Sequence, residues 1–394
     1  MMNSISTRLT TTFQIFFRSE KSSAILLIFC TLLSLVIANS AIGTSYVKFW
    51  HGELFGMSAE HWVNDGLMAI FFLFIGLELE REIYSGELSN VKQALLPTLA
   101  ALGGLTLPAL IHFSLNAGTT TQAGMGIPMA TDIAFALGAL ALLGNRVPPA
   151  LTIFLAALAV MDDLGAVIVI AIFYTATINF GYLLAALGVF LVMVLCNRVL
   201  RIMVLWPYLI GGAIMWVFML KSGVHATISG ILLAFAIPFS SQSEDQTSPS
   251  HRLENLLHLP VAFVILPVFA LANTGVVLSE HWAQSLTNIN GLGILIGLLL
   301  GKPLGIGCAT WLAVKLGICA LPQGTQWRHL IGAGMLGGIG FTMSIFITNL
   351  AFEGSDQLIM SSKICVLIAS LIAGVLGYIW LKFFSPPDSV NLQL

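Results

Sequence analysis

The chain has 394 residues, of which 57% are hydrophobic and 9% charged, with a formal net charge of −2. A soluble domain carries about 25% charged residues, so most of this surface must face something other than water. The near-neutral balance gives no reason to expect a nucleic-acid partner. The length divides into membrane spans of about 20 residues rather than into soluble domains.

The N-terminal stretch is polar, with Arg8, Arg18 and Lys21, and an apolar run follows at 22–41. Small residues (Ala38, Ser40, Ala41) close that run and leave a signal peptide as a competing reading. The run is nevertheless long enough to span, and the charge count works best if it stays. Apolar runs between polar breaks then give about twelve spans, at 22–41, 62–84, 94–115, 123–145, 149–174, 180–199, 203–220, 223–239, 256–277, 289–313, 327–350 and 358–383. The breaks are short and rich in Gly, Pro, Asn and Ser, as connectors should be. The fold class is therefore an all-α integral membrane protein, with residues 1–394 forming one transmembrane domain. Residues 42–61 read as an external loop with a short hairpin, and 240–252 as a flexible cytoplasmic loop.

The positive-inside rule tests this topology. With the N-terminus assigned to the cytoplasm, twelve of the sixteen basic residues fall in cytoplasmic segments and three (Lys48, Lys221, Lys363) outside. Both termini are then cytoplasmic. The sixteenth, Lys302, lies inside the tenth span. The five cysteines are scattered without a C-x-x-C, so they read as small buried apolar residues rather than a disulfide framework or zinc site.

In chain order, the intramembrane charges are Asp132, the adjacent Asp162 and Asp163, and Lys302. A carboxylate at bilayer depth costs about 2.5–3.5 kcal/mol even on the gentler insertion scales, and such residues usually mark an ion or proton pathway. Lys302 needs a carboxylate, a carbonyl or a cavity, or must snorkel along about half its span. Two spans are poor helices in their middles. The fourth carries Gly124, Gly126 and Pro128 just before Thr131 and Asp132, and the eleventh carries Gly332, Gly334, Gly337, Gly338 and Gly340. Close helix packing through small residues is one reading. The two lie at the middle of spans 3–5 and 10–12, however, which is the pattern of inverted repeats with discontinuous, crossing helices. Half-helix ends carry about half a charge each. Asp132 has the right sign to offset the N-terminal ends, and Lys302 the C-terminal ends.

The stretches NDGLMAIFFLFIGLELERE, IPMATDIAFALGALALLGNRVP, DDLGAVIVIAIFYT, LKSGVHATISG, RLENLLH, GKPLGI and GIGFTMSIFI resemble those of NhaA-type sodium/proton antiporters. They run from the second span to the eleventh, and ATDIAFALG together with DDLGA is highly specific. The association of broken helices with inverted repeats is itself drawn in part from this family. The resemblance implies a pH-regulated, electrogenic exchange of cytoplasmic Na+ or Li+ for external H+ in a bacterial inner membrane, with no cofactor and no enzymatic activity. It implies Asp163 as the principal cation carboxylate and Asp162 as its partner, paired with Lys302. Thr131 and Asp132 stand at the broken fourth helix. Na+ and Li+ want oxygen ligands, which Asp163, Asp162 and Thr131 supply. Neighbours i and i+1 on a helix do not face each other, so the two aspartates should have different roles. Burial and a nearby like charge favour a protonated carboxylic acid, and a carboxylate so placed can trade a proton for Na+.

The resemblance further implies a cytoplasmic pH-sensing cluster of Glu78, Arg81, Glu82, Glu254 and His258; a solvated, charged membrane edge is the alternative reading. Asn255 departs from the family pattern, where a histidine can occur. His225 tunes the pH response or merely caps a helix. Asp65 reads as a helix cap. The external loop is where the family makes a homodimer contact, and membrane lipids complete the partners.

Three rivals are weaker. An intramembrane aspartyl protease of this kind carries G-x-G-D, which this chain lacks. A sodium-coupled symporter of an organic solute shares the architecture, but the site flanks show few aromatic or amide residues. A passive channel needs no carboxylates that titrate.

Overall fold

The computed structural model describes residues 20–86, 89, 91–175, 178–240, 248–278 and 282–384. Glu87, residues 241–247 of the loop at 240–252, and both chain ends with Arg8 and Arg18 lie outside the described residues.

In a bilayer every backbone polar group must be satisfied internally, which leaves helices as the economical choice for apolar runs. The chain forms α1 (Glu20–Ala38), α2 (Gly43–His51), α3 (Ala59–Tyr84) and α4 (Val91–Asn116). A 3-10 helix (Gln122–Met129) then precedes α5 (Ile133–Ala141) and α6 (Pro149–Phe173). Next come α7 (Phe180–Arg198), α8 (Trp206–Ser222), α9 (Ile228–Ala236) and α10 (Pro249–Asn273). The last are α11 (Ile289–Lys315), α12 (Trp327–Gly337), α13 (Phe341–Ala351) and α14 (Asp356–Phe384).

Among the described residues nine helices are long and apolar enough to cross a membrane, and α12 with α13, bent by 43°, makes a tenth. The protein is therefore an all-α integral membrane protein. The expected seventh and eighth spans correspond to α8, of 17 residues, and α9, of 9 residues. Both fall short of the about 20 residues that cross a bilayer upright.

The loop at 42–61 contains a two-stranded antiparallel hairpin, β1 (Glu53–Leu54) with β2 (Met57–Ser58). Its turn residues Phe55 and Gly56 both have positive φ, 53° and 85°, the geometry of a two-residue hairpin turn. Helix α3 begins at Ala59, where the Ser58 side chain accepts from the His61 N–H. The cap expected at Asp65 is therefore corrected. Asp65 lies beyond the first turn and pairs with His61 at 2.9 Å.

The main core joins α3, α4, α6 and α10–α14 around the two broken spans. Helix α7 is only 11% buried and stands at the lipid-facing edge. α4 and α11 approach closely at Gly103 and Gly305, where a Cβ on either would lie 2.2 Å from the other's carbonyl oxygen. That contact brings Lys302, one turn earlier on α11, into the centre of the protein. The cysteines are all free, and Cys308 is exposed rather than buried.

Candidate ion site

The fourth span is a 3-10 helix through Gly126 and Pro128 and breaks after Met129. After the 3-10 helix, residues 130–132 run extended before α5 starts. The eleventh span breaks at 338–340. The two breaks touch, because the Asp132 N–H donates to the Ile339 carbonyl at 2.6 Å.

Four helix ends therefore meet in the interior, and charged or hydroxyl side chains serve each of them. Asp132 Oδ1 accepts from the Phe135 N–H at 3.0 Å, which caps α5. Its Oδ2 accepts from the Thr342 N–H at 3.0 Å and from the Thr342 hydroxyl at 2.5 Å. One carboxylate thus sits on the positive ends of both α5 and α13. On the opposite ends, Lys302 Nζ donates to the Met129 carbonyl that closes the 3-10 helix. Thr131 Oγ1 lies 2.9 Å from the Gly337 carbonyl that closes α12. Further along α13, the Ser344 hydroxyl donates to the Ile127 carbonyl at 2.6 Å.

The aspartate pair lies on α6. Asp162 Oδ2 is 2.5 Å from Lys302 Nζ, with both side chains 0% exposed. That burial excludes snorkelling. Thr131 Oγ1 lies 2.6 Å from the same Asp162 oxygen. A hydroxyl has one proton, so Thr131 serves either Asp162 or Gly337 at a given moment. Asp163 is buried, and among the described residues neither of its oxygens has a hydrogen-bond partner. The turn of about 100° between successive helical residues explains why one aspartate is held by Lys302 and the other is not. A buried ion pair contributes little net stability, but removing one member is costly, because it strands the other charge.

The second group of sequence candidates gathers around Arg81. Its Nε donates to Glu254 Oε1 at 2.8 Å, its Nη1 lies 3.0 Å from Glu82 and its Nη2 3.8 Å from Glu78. The His258 ring instead packs edge-on against Phe74, with centroids 5.9 Å apart. Glu80, left out of the expected cluster, is buried and accepts from the Ser250 hydroxyl at 3.2 Å. Its burial depends on how α3 packs, which local sequence does not reveal. His225 sits between α8 and α9, its Nε2 3.1 Å from the Tyr174 carbonyl at the end of α6.

Two polar features escaped sequence reasoning. The Tyr174 hydroxyl accepts from the Gly126 N–H at 3.0 Å and donates to the Ala123 carbonyl at 2.6 Å. It thereby ties the 3-10 helix to α6, and a Cβ at Gly126 would lie 2.5 Å from that oxygen. An aromatic residue at a span end carries no signal of this role. Tyr174→Phe should lower stability by about 1–3 kcal/mol, because it strands the N–H of the buried Gly126. An unchanged thermal-unfolding temperature of the purified variant would rule the tie out. The second feature is Lys363, counted above with the external segments. It is buried within α14, 3.6 Å from Glu60 and 3.5 Å from Asn273 Oδ1. The argument applied to Lys302, a lone cation in an apolar run, would have found it.

A helical membrane protein with paired charges where interrupted helices meet belongs to the class of secondary ion transporters. The profile of the Na+/H+ antiporter 1 family matches residues 14–381, and the chain belongs to this family, which is one of transporters rather than enzymes. Three curated proteins named Na+/H+ antiporter NhaA are similar to it over nearly their whole length. That of Dechloromonas aromatica is 62% identical over 383 residues, covering 97% of this chain and 98% of that protein. That of Flavobacterium psychrophilum is 58% identical over 376 residues, covering 95% and 97%. That of Sulfurimonas denitrificans is 44% identical over 429 residues, covering 96% of each.

Proposed function

We propose that this protein is a Na+/H+ antiporter in which Asp162 and Asp163 bind Na+ and H+ in turn. The observation that carries the reading is the contrast within the pair. Lys302 and Thr131 already hold Asp162, whereas Asp163 is buried without such a partner. An uncompensated carboxylate is costly in this setting, and either a proton or a hard cation offsets it. Thr131 and the carbonyls freed at the breaks add the oxygen donors that Na+ or Li+ needs. Asp132, Lys302 and Thr131 hold the four helix ends, so rearranging them would expose the site to one side or the other. If more H+ than Na+ moves in each cycle, the membrane potential contributes about 2.3 kcal/mol per net charge per 100 mV.

The same reading takes α8 and α9 as short seventh and eighth spans. There are then twelve in all, arranged as inverted repeats with both termini cytoplasmic in a bacterial inner membrane. The external hairpin, with Phe55 90% exposed at its tip, forms the homodimer contact. Glu78, Arg81, Glu82 and Glu254, with His258 on the adjacent turn and His225 opposite, regulate the response to pH. The activity–pH curves of Glu78→Cys and Glu254→Cys should shift relative to the wild type; unchanged curves in both would leave only a solvated, charged edge.

The exchange itself is tested in acid-loaded proteoliposomes. Adding Na+ should alkalinise the lumen. No response between pH 6.5 and 9 would refute antiport.

A further inference from the structure

A groove of about 520 Å³ opens between α1, α5 and α14. One wall is the stripe Ile25, Ile28 and Leu32 on α1, at three- and four-residue spacing, and another includes Leu371 and Val375 on α14. All five are exposed and apolar, so the groove faces the hydrocarbon of the membrane. Its floor is Ile339 and Phe341, the residues that flank the break of the eleventh span. The floor is tied into the helix junction. The Phe341 N–H donates to the Ser370 hydroxyl at 3.1 Å, and the Ile339 carbonyl accepts from the Asp132 N–H at 2.6 Å.

One end of the groove differs from the rest. Among the described residues its single charged lining residue is Lys21. Tyr378 lines the α14 wall, and the Lys382 ammonium lies 5.7 Å from the centre of its ring. Arg146 joins the same corner, donating to the Lys382 carbonyl at 3.3 Å. From Lys21 to Leu35 the α1 wall rises about 21 Å, more than half of a hydrocarbon core of about 30 Å. The groove thus offers an apolar trough as long as one leaflet, with Lys21 in its lining and Lys382 and Arg146 beside its Tyr378 wall.

We propose that this groove binds one anionic phospholipid of the surrounding membrane, its acyl chain lying on Ile339 and Phe341 and its phosphate at Lys21. The trough matches the chain and the cations match the headgroup. An occupant touches the residues that hold the two breaks together, so filling the groove supports ion exchange. The lipid site stands independently of the antiport reading; only its effect on transport rests on that reading.

Binding is tested by native mass spectrometry of the purified full chain in mixed micelles of phosphatidylglycerol and phosphatidylcholine. The wild type should retain one phosphatidylglycerol. Lys21→Ser should reduce retention about fivefold, the effect of about 1 kcal/mol for one basic residue at an anionic surface. Gly374→Leu should abolish it, because a Cβ there is in ordinary contact with Ile339 alone, at 3.5 Å, and the longer side chain takes up space in the trough that Gly374 lines. Equal retention of the two lipids, or wild-type retention in Lys21→Ser, overturns the proposal even if Gly374→Leu fails to fold. In proteoliposomes, wild-type exchange should be faster with equimolar phosphatidylglycerol than with phosphatidylcholine alone, and Gly374→Leu should run at the slower rate in both. A wild type that retains the lipid but exchanges no ions sinks the antiport reading and leaves the lipid site standing. Equal wild-type rates in the two vesicles overturn the supporting role.

Discussion

Asp163→Asn should abolish sodium-driven proton movement, lowering the rate by about a hundredfold or more, the kinetic equivalent of about 3 kcal/mol. Asparagine keeps the shape of the side chain but carries neither a negative charge nor an exchangeable proton on oxygen. Among the described residues nothing hydrogen-bonds to Asp163, so the substitution strands no partner and the fold should survive. Loss of transport with an unchanged unfolding temperature would therefore isolate the chemistry of the carboxylate. The test is lumenal alkalinisation on adding Na+, for wild type and variant at equal protein content. Near-normal exchange in Asp163→Asn would eliminate this residue as the ion carrier.

Lys302→Ala should act in the opposite way, mainly through stability. The ammonium is the partner of Asp162 and the donor to the Met129 carbonyl, and all of these groups are buried. Truncating it leaves a charge and a carbonyl without compensation. Breaking a buried pair typically costs about 3–5 kcal/mol, so the purified variant should unfold at a clearly lower temperature. The double variant Lys302→Ala with Asp162→Asn removes the stranded charge and should recover part of the loss, while the Met129 carbonyl stays unserved. Coupling of this kind is what a double-mutant cycle measures. A single variant as stable as the wild type would mean that the pair does not hold the junction.

Much of this was legible in the sequence because membrane insertion makes the relevant residues conspicuous. Asp132, Asp162, Asp163 and Lys302 stand out against apolar flanks, and Gly126 and Pro128 mark a break on propensity alone. Partner assignments were less legible. That Asp132 caps two helices at once follows from Thr342, more than two hundred residues away in sequence, approaching it. The same holds for Tyr174, which serves Gly126, and for Glu80, which faces Ser250. The start of α3 was misread because Ser58, outside the apolar run, supplies the cap. Lys363 was misplaced because a cation near a span end is ordinarily solvated, whereas Glu60 and Asn273 surround this one.

The most direct test of the central claim is the apparent KM for Na+ as a function of pH in proteoliposomes. If H+ and Na+ compete for the Asp162–Asp163 pair, KM should rise by about tenfold for each unit by which pH falls on the acid limb, as titration of one shared group requires. The maximal rate should not change over that range. A constant KM with a falling maximal rate would place the proton elsewhere and contradict a shared carboxylate site.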